Sequence, residues 1–344
     1  MTLSIIPTGA TLGARVEGLD LSQPLSDADF DQLLGALGRH GVLSYPGQTL
    51  TPVQLRDFAK RFGALEINVA GAYQEPGLPE VMVLSNIVED GKPIGLADAG
   101  QDWHTDMSYS RMIAFTNVLY GIRIPHRDGQ PLGNTSFCNM HAAYRGLPEE
   151  MKATLDGMTV LHDFNKFWEM LRRERGSSRP PLTPAQRAAK PPVSHPVFLR
   201  HPITGERVLY CNPGYAMRIN ELDEAESERT LAFLFAHQTQ PQYQYAHRWT
   251  EGDVLMWDNM GTIHNAIPDY GPDEPRLIKR CQVMATRFFD ADGRPRETAL
   301  DAVGGSDTVQ SLDAVQVPGT VQARDPVPAP GTVRAPETTQ ARSA

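Results

Sequence analysis

The sequence predicts a mainly β fold, a sandwich or barrel with helices packed at its side. Two observations carry that prediction: a succession of short apolar or alternating runs bounded by Gly, Pro, Asn and Asp, and only a few stretches with helical apolar spacing. In chain order, SDADFDQLLGALGRH (26–40) places Phe30, Leu33, Leu34 and Leu37 on one helical face behind the N-cap candidate Ser26. The β-like run GVLSYPGQ follows. Thr51, Pro52 and Gln54 then supply an N-cap, an N1 proline and a capping-box partner for a second helix that ends at Gly63. A third helix is expected after Pro148 and Glu149, and a fourth from near Asp223, with Leu231, Leu234 and Phe235 on one face. Between them EVMVLSNI, FTNVLYGIRI, TSFCN, HPVFLRHP, RVLYCN, DVLMWDN and KRCQVMATRFF read as strands.

Composition excludes several function classes. The 344 residues are 40% hydrophobic and 21% charged, ordinary for a globular chain. With 32 Lys and Arg against 41 Asp and Glu, the net charge of −9 offers no basic field for nucleic acid or anionic lipid. No apolar run approaches bilayer-spanning length, and the opening MTLSIIPTGATLG lacks the pattern of a signal peptide, so a cytoplasmic location is expected. Cys138, Cys211 and Cys281 are scattered without CxxC pairing, so a metal site must draw on His and carboxylates. Two segments break the average. From Val303 the chain has no aromatic residue and carries Pro318, Pro326, Pro328, Pro330 and Pro336, which reads as a disordered tail. Residues 170–192 hold six basic residues and almost no apolar periodicity, the signature of a surface loop or of a mobile lid over a site that handles anions.

Three pieces carry chemistry. In DWHTDMSY, an extended backbone would turn His104 and Asp106 to one face, where an imidazole and a carboxylate could share an ion. In GDVLMWDNMGTIHNAIP a strand-like run leads to His264, and in EPRLIKRCQVMATR the residues Arg276 and Arg280 fall on one strand face. Alone, each is close to what chance or a structural role would give. Together, two imidazoles and one carboxylate form the facial triad of non-haem Fe(II) oxygenases, and arginine supplies a bidentate fork for a carboxylate.

With these residues in view, the chain resembles the TauD/TfdA-type 2-oxoglutarate-dependent dioxygenases over about residues 3–290. The matching stretches are LGARVEGLDLSQPL, HGVLSYPGQTLTPVQLRDFAKRFG, WHTD, LGNTSF, HPVFLRHPITGERVLYCN and GDVLMWDNMGTIHNA followed by RLIKR. The resemblance implies a distorted double-stranded β-helix, a jelly roll of the cupin-like, clavaminate synthase-like kind, in one domain over 1–302, with 303–344 as the tail. It implies Fe(II) on His104, Asp106 and His264, with 2-oxoglutarate and O₂ as co-substrates. Thr135 and Arg276 would hold 2-oxoglutarate, and Arg280 would reach the anionic group of the prime substrate, with Asn68 and Tyr109 on the same side. The implied reaction hydroxylates a small anionic molecule (a sulfonate, aryloxyalkanoate, alkyl sulfate or amino-acid-like compound) and releases succinate and CO₂. A homodimer or homotetramer is implied by the family alone.

Departures from the family pattern concern the substrate. Asn68 stands where taurine enzymes carry a sulfonate-binding histidine, and Gly100, Gln101 and Asp102 occupy the stretch where they carry an asparagine, so taurine is not the expected substrate. A cupin-like binding protein without turnover is the alternative, but a pure binder has no need of Thr135 and Arg276 beside a complete triad. No GxSxG elbow supports hydrolysis, and Asp106 fills the position that halogenases leave open for halide.

Overall fold

A computed structural model describes residues 2–67, 73–174, 177 and 180–296. Asn68, the tail from residue 303 and part of the 170–192 segment lie outside the described residues.

The helices start where side chains satisfy their first backbone N–H groups. Ser26 accepts from the Asp29 N–H to open the helix Asp27–His40, which Gly41 ends at φ 67°, its N–H bonded to the Leu37 carbonyl. Phe30, Leu33 and Leu37 are buried on its inner face, while Leu34 stays partly exposed. The Thr51–Gln54 capping box forms ahead of Pro52–Lys60. The two further expected helices are Glu149–Leu155 and Glu224–Gln238, the latter capped by Asp223 and burying Leu231 and Leu234.

Residues 170–192 depart from the aperiodic loop expected of them. The segment begins inside the helix Phe164–Glu174 and contains Pro184–Ala189, capped by a Thr183–Gln186 box with Pro184 at its start. The same Thr-Pro-x-Gln signature opens both this helix and Pro52–Lys60, so local capping chemistry outweighs the lack of an apolar stripe. Met140–Arg145 is a further short helix, capped by Asn139.

The strands assemble mainly into an eight-stranded sheet, in the order Ser4–Pro7, Ala14–Glu17, Val42–Tyr45, Val254–Asp258, Ala114–Arg123, Leu277–Met284, Leu78–Ser85, Gln74–Glu75. Every pairing in it is antiparallel except that of Ala14–Glu17 with Val42–Tyr45. A second sheet of three strands, Gln244–His247, Thr135–Asn139 and Thr262–Ala266, supplies the other wall of the site. Alternation sorts the large sheet into two faces. Val254, Met256, Val118, Cys281 and Val283 join the main core, into which the helices Asp27–His40 and Pro52–Lys60 pack. Met82, Leu84, Leu119, Leu255, Trp257 and Ile278 pack instead with Phe137 of the three-stranded sheet. The functional residues lie on this second face. All three cysteines are buried and unpaired, and no helix among the described residues is long and apolar enough to cross a membrane.

Several core positions are imidazoles held neutral. Burial, aided by neighbouring His201, pushes His141 down to about 4 from an ordinary 6.5, and burial likewise takes His162 well below that value. A depressed histidine pKa stabilises the fold fully above the unfolded value of 6.5 and progressively less as pH falls toward the folded value. Stability is therefore expected to drop between about pH 6.5 and pH 4, by up to about 1.4 kcal/mol per pH unit for each such histidine. Thermal unfolding followed against pH checks this: His162→Gln should flatten the acid limb, and a wild-type midpoint that does not fall on acidification contradicts it.

Candidate active site

Two backbone hydrogen bonds bring the histidines together. The His104 N–H donates to the His264 carbonyl at 3.0 Å, and the His264 N–H donates back to His104 at 2.7 Å. Residues that exchange both bonds carry their side chains on one face, and the two ring centroids are 4.3 Å apart. On its other edge His264 is in register with Phe137. The extended geometry expected around position 104 holds only at His104 itself. Asp102 and Met107 have φ 69° and 58°, so Asp106 sits in a turn that folds its carboxylate back toward the rings. Between them the Thr105 hydroxyl donates to the Asn259 carbonyl at 2.5 Å and ties this turn to the loop before His264.

One ligand atom from each of His104, Asp106 and His264 lies within 4.8 Å of the other two. His104 Nε2 is 3.6 Å from Asp106 Oδ1, and His264 Nε2 is 4.0 Å from Oδ2. The donor set fits a divalent cation. His104 donates from Nδ1 to the Asp102 carbonyl at 2.7 Å, which leaves the Nε2 lone pair for a metal. Burial, with neighbouring His104, holds His264 neutral, the form that ligates, and its Nδ1 is buried without a partner among the described residues. Burial opposes ionisation of Asp106 but is outweighed by the His104 hydrogen bond and the Arg280 charge, which keep its pKa below the ordinary carboxylate value. Asp106 Oδ2 also accepts from Asn117 Nδ2 at 2.5 Å. Sequence reasoning missed Asn117; the available signal was a single amide inside the apolar run FTNVLYG.

A second trio, His141, His201 and Asp258, also clusters, but its chemistry is different. His201 Nδ1 accepts from the backbone N–H groups of Ile203 and Thr204, so the proton sits on Nε2, which donates to Asp258 at 2.7 Å. Asp258 further accepts from the N–H groups of Met260 and Gly261. A ring and carboxylate so committed shape the turn ahead of His264 and leave His141 as the one member of the trio with free ring nitrogens, too few donors for a cation.

Of the other expected residues, Arg276, Thr135, Arg280 and Tyr109 are among those described. Arg276 is 8% exposed, lies 5.7 Å from the Tyr270 ring centroid and has no carboxylate within ion-pair distance among the described residues. Its Nε is buried without a partner. Gly133 makes room for it: at φ 70°, a Cβ there would fall 2.8 Å from Arg276 Nε. Thr135, 3% exposed, accepts from Trp249 Nε1 at 3.1 Å and keeps its own O–H to donate. Arg280 turns inward as the shared strand face predicts, with Nη1 3.7 Å from Asp106 Oδ2 and Nε buried and unpartnered. The Tyr109 hydroxyl donates to Met107 Sδ at 3.3 Å, and its ring packs 4.7 Å from both Phe164 and Tyr215.

A mainly β fold with a His-Asp-His donor set between its sheets defines the class, a dioxygenase built on a metal centre. The family follows from comparison: residues 4–282 match the description "Taurine catabolism dioxygenase TauD, TfdA family", and the chain belongs to that family. It is 32% identical to a pentalenolactone F synthase of Streptomyces avermitilis over 86% of this chain and 96% of that protein. It is 33% identical to an alpha-ketoglutarate-dependent 2,4-dichlorophenoxyacetate dioxygenase of a Burkholderia species, over 79% of this chain and 91% of that one. Among solved structures, AAD-2 in complex with Mn(II) and N-oxalylglycine superposes with a TM-score of 0.68 at 28% identity, covering 83% of this chain and 98% of that chain.

Asn117 positions the Asp106 carboxylate, so Asn117→Leu is expected to weaken Mn(II) binding by about ten- to a hundredfold while the chain stays folded. Calorimetric titration checks this; unchanged affinity would remove Asn117 from the site.

Proposed function

We propose that the protein is an Fe(II)- and 2-oxoglutarate-dependent dioxygenase that hydroxylates a small anionic organic substrate and releases succinate and CO₂. The observation that supports this best is the complete donor set lying between the same two sheets as Arg276, a buried guanidinium with no carboxylate counter-ion among the described residues. Leaving such a charge unpaired in the interior is costly, so the position is suited to an anionic ligand. The AAD-2 complex adds to this, since N-oxalylglycine has the skeleton of 2-oxoglutarate with one CH₂ replaced by NH.

In this reading His104, Asp106 and His264 hold the metal. What iron supplies when bound is oxidising power: O₂ and 2-oxoglutarate are consumed, one oxygen atom entering a substrate C–H bond and the other leaving in succinate. The chain's own residues do the rest. Arg276 binds the distal carboxylate of 2-oxoglutarate through its fork, and the Thr135 hydroxyl donates to the same molecule. Arg280 keeps Asp106 ionised and turns its free Nε toward the substrate, beside Tyr109; Asn68 keeps its expected substrate-side role. Phe137, Trp257 and Phe167 pack around the histidine rings and keep water from them. The two sheets form the halves of a distorted double-stranded β-helix in a domain over 1–302, with 170–192 as its lid and 303–344 as a tail.

Adding Fe(II) and then 2-oxoglutarate without oxygen should give a weak visible charge-transfer band; its absence from folded protein would sink the oxygenase reading. Arg276→Ala is expected to weaken 2-oxoglutarate binding at least about thirtyfold, and Arg280→Ala to act mainly on the prime substrate. If both changes affect only the co-substrate, the division of roles is wrong. Succinate release screened across sulfonates, aryloxyalkanoates, alkyl sulfates and amino acids identifies the substrate.

A further inference from the structure

The segment that reads as basic and aperiodic delivers one cation to an aromatic wall that ends at the metal ligands. Lys190 directly follows the helix Pro184–Ala189, and its Nζ lies 5.0 Å from the Tyr109 ring centroid and 4.9 Å from that of Phe164. From there the rings run inward without a gap. Phe164 is 4.7 Å from Tyr109, Tyr109 4.7 Å from Tyr215, Tyr215 5.1 Å from Phe167, and Phe167 4.9 Å from His104. Gly214 permits the inner end of the wall, since a Cβ there would meet the His104 Cβ at 2.9 Å and Phe167 at 3.1 Å.

The two cations along this wall differ in what they face. Arg280, at the inner end, shares its charge with Asp106 at 3.7 Å. Lys190, at the outer end, is half-buried, and its ammonium group makes no hydrogen bond or ion pair among the described residues; Glu66 bears on it from beyond contact distance, and Asp163 lines the same cavity. Cation–π attraction to two rings recovers only part of what an ammonium loses on leaving water, and it leaves the N–H groups without acceptors. A cavity of about 230 Å³ opens beside Lys190, lined also by Phe164, Leu182, Arg187 and the Asp163 carboxylate, so that two cations and one acid face it.

We propose that Lys190 is a specificity-determining residue of the prime-substrate pocket, its ammonium group binding the anionic end of a substrate whose apolar body lies along Tyr109, Phe164 and Phe167. The inference rests on the oxygenase reading and assigns the anionic end of the substrate to Lys190 instead of Arg280, whose charge is taken up by Asp106 and which faces the substrate near the metal. It defines the substrate class as acids with an aromatic or alicyclic body long enough to reach from the metal to Lys190. The competing role for the same contacts is a latch, in which the cation–π pair merely clamps the helix Pro184–Ala189 onto the barrel.

The test uses the full chain with Fe(II) and 2-oxoglutarate, and compares phenoxyacetate, (S)-2-phenoxypropionate and 4-phenylbutyrate with their uncharged methyl esters by succinate release. Wild type should favour the acids. Lys190→Met should raise KM for the acids at least about tenfold, leave the esters within about twofold and leave kcat nearly unchanged, while Lys190→Arg should retain the preference. Equal losses on acid and ester identify a latch and overturn the proposal, as does an acid KM unmoved by Lys190→Met or a wild type that responds to no acid. The anaerobic band with Fe(II) and 2-oxoglutarate needs no prime substrate and separates the two levels. A band without acid discrimination overturns the Lys190 assignment alone, whereas no band takes down the oxygenase reading with it.

Discussion

The site depends on one backbone pair. By exchanging hydrogen bonds, His104 and His264 extend the three-stranded sheet by one residue, and that residue is a donor to the centre. Because the strand Thr262–Ala266 is also paired with Thr135–Asn139, the same strand fixes His264, Thr135 and the second histidine in one frame. A one-residue slip would turn His264 away from Phe137 and Trp257 and out of the pocket. The turn around Asp106 then needs only to bring one carboxylate back, which its flanking left-handed residues and the Thr105–Asn259 hydrogen bond do.

Charge is arranged around that frame in matched and unmatched parts. Asp106 is matched: Arg280, Asn117 and the two imidazoles surround it, so it stays ionised despite its burial. Asp258, a few residues before His264, is matched as well, but by His201 and backbone N–H groups, so it shapes a turn instead of holding an ion. Arg276 and Lys190 are unmatched among the described residues, one beneath the Gly133 bend and the other at the end of the aromatic wall. In a chain with a net charge of −9, a guanidinium and an ammonium left without contacting carboxylates mark where anions from outside belong.

Much of this was legible in the sequence where the physics is local or strictly periodic. Caps at Ser26, Thr51 and Asp223 fell where the side chains require them, and the four-residue spacing of Arg276 and Arg280 put both on the pocket face because Ile278 between them packs on the same side. The donor set was legible through its residue types, but its geometry was not. The sequence suggests a strand for His104 and Asp106, whereas the second ligand is presented by a turn held by distant Asn259. Asn117 was invisible for the same reason, since its role depends on a register between strands far apart in sequence. The helix Pro184–Ala189 was overlooked because it has no buried face, although its capping box matches one that was recognised earlier in the chain.

Two histidine–carboxylate clusters thus coexist among the described residues, and only one of them has a full set of donors free for an ion. Mn(II) titration of the full chain followed by electron paramagnetic resonance tests this most directly. One tightly held ion per chain is expected, abolished by Asp106→Ala and retained by His141→Ala. An ion that survives Asp106→Ala, or one that disappears with His141→Ala, would contradict the assignment of the centre.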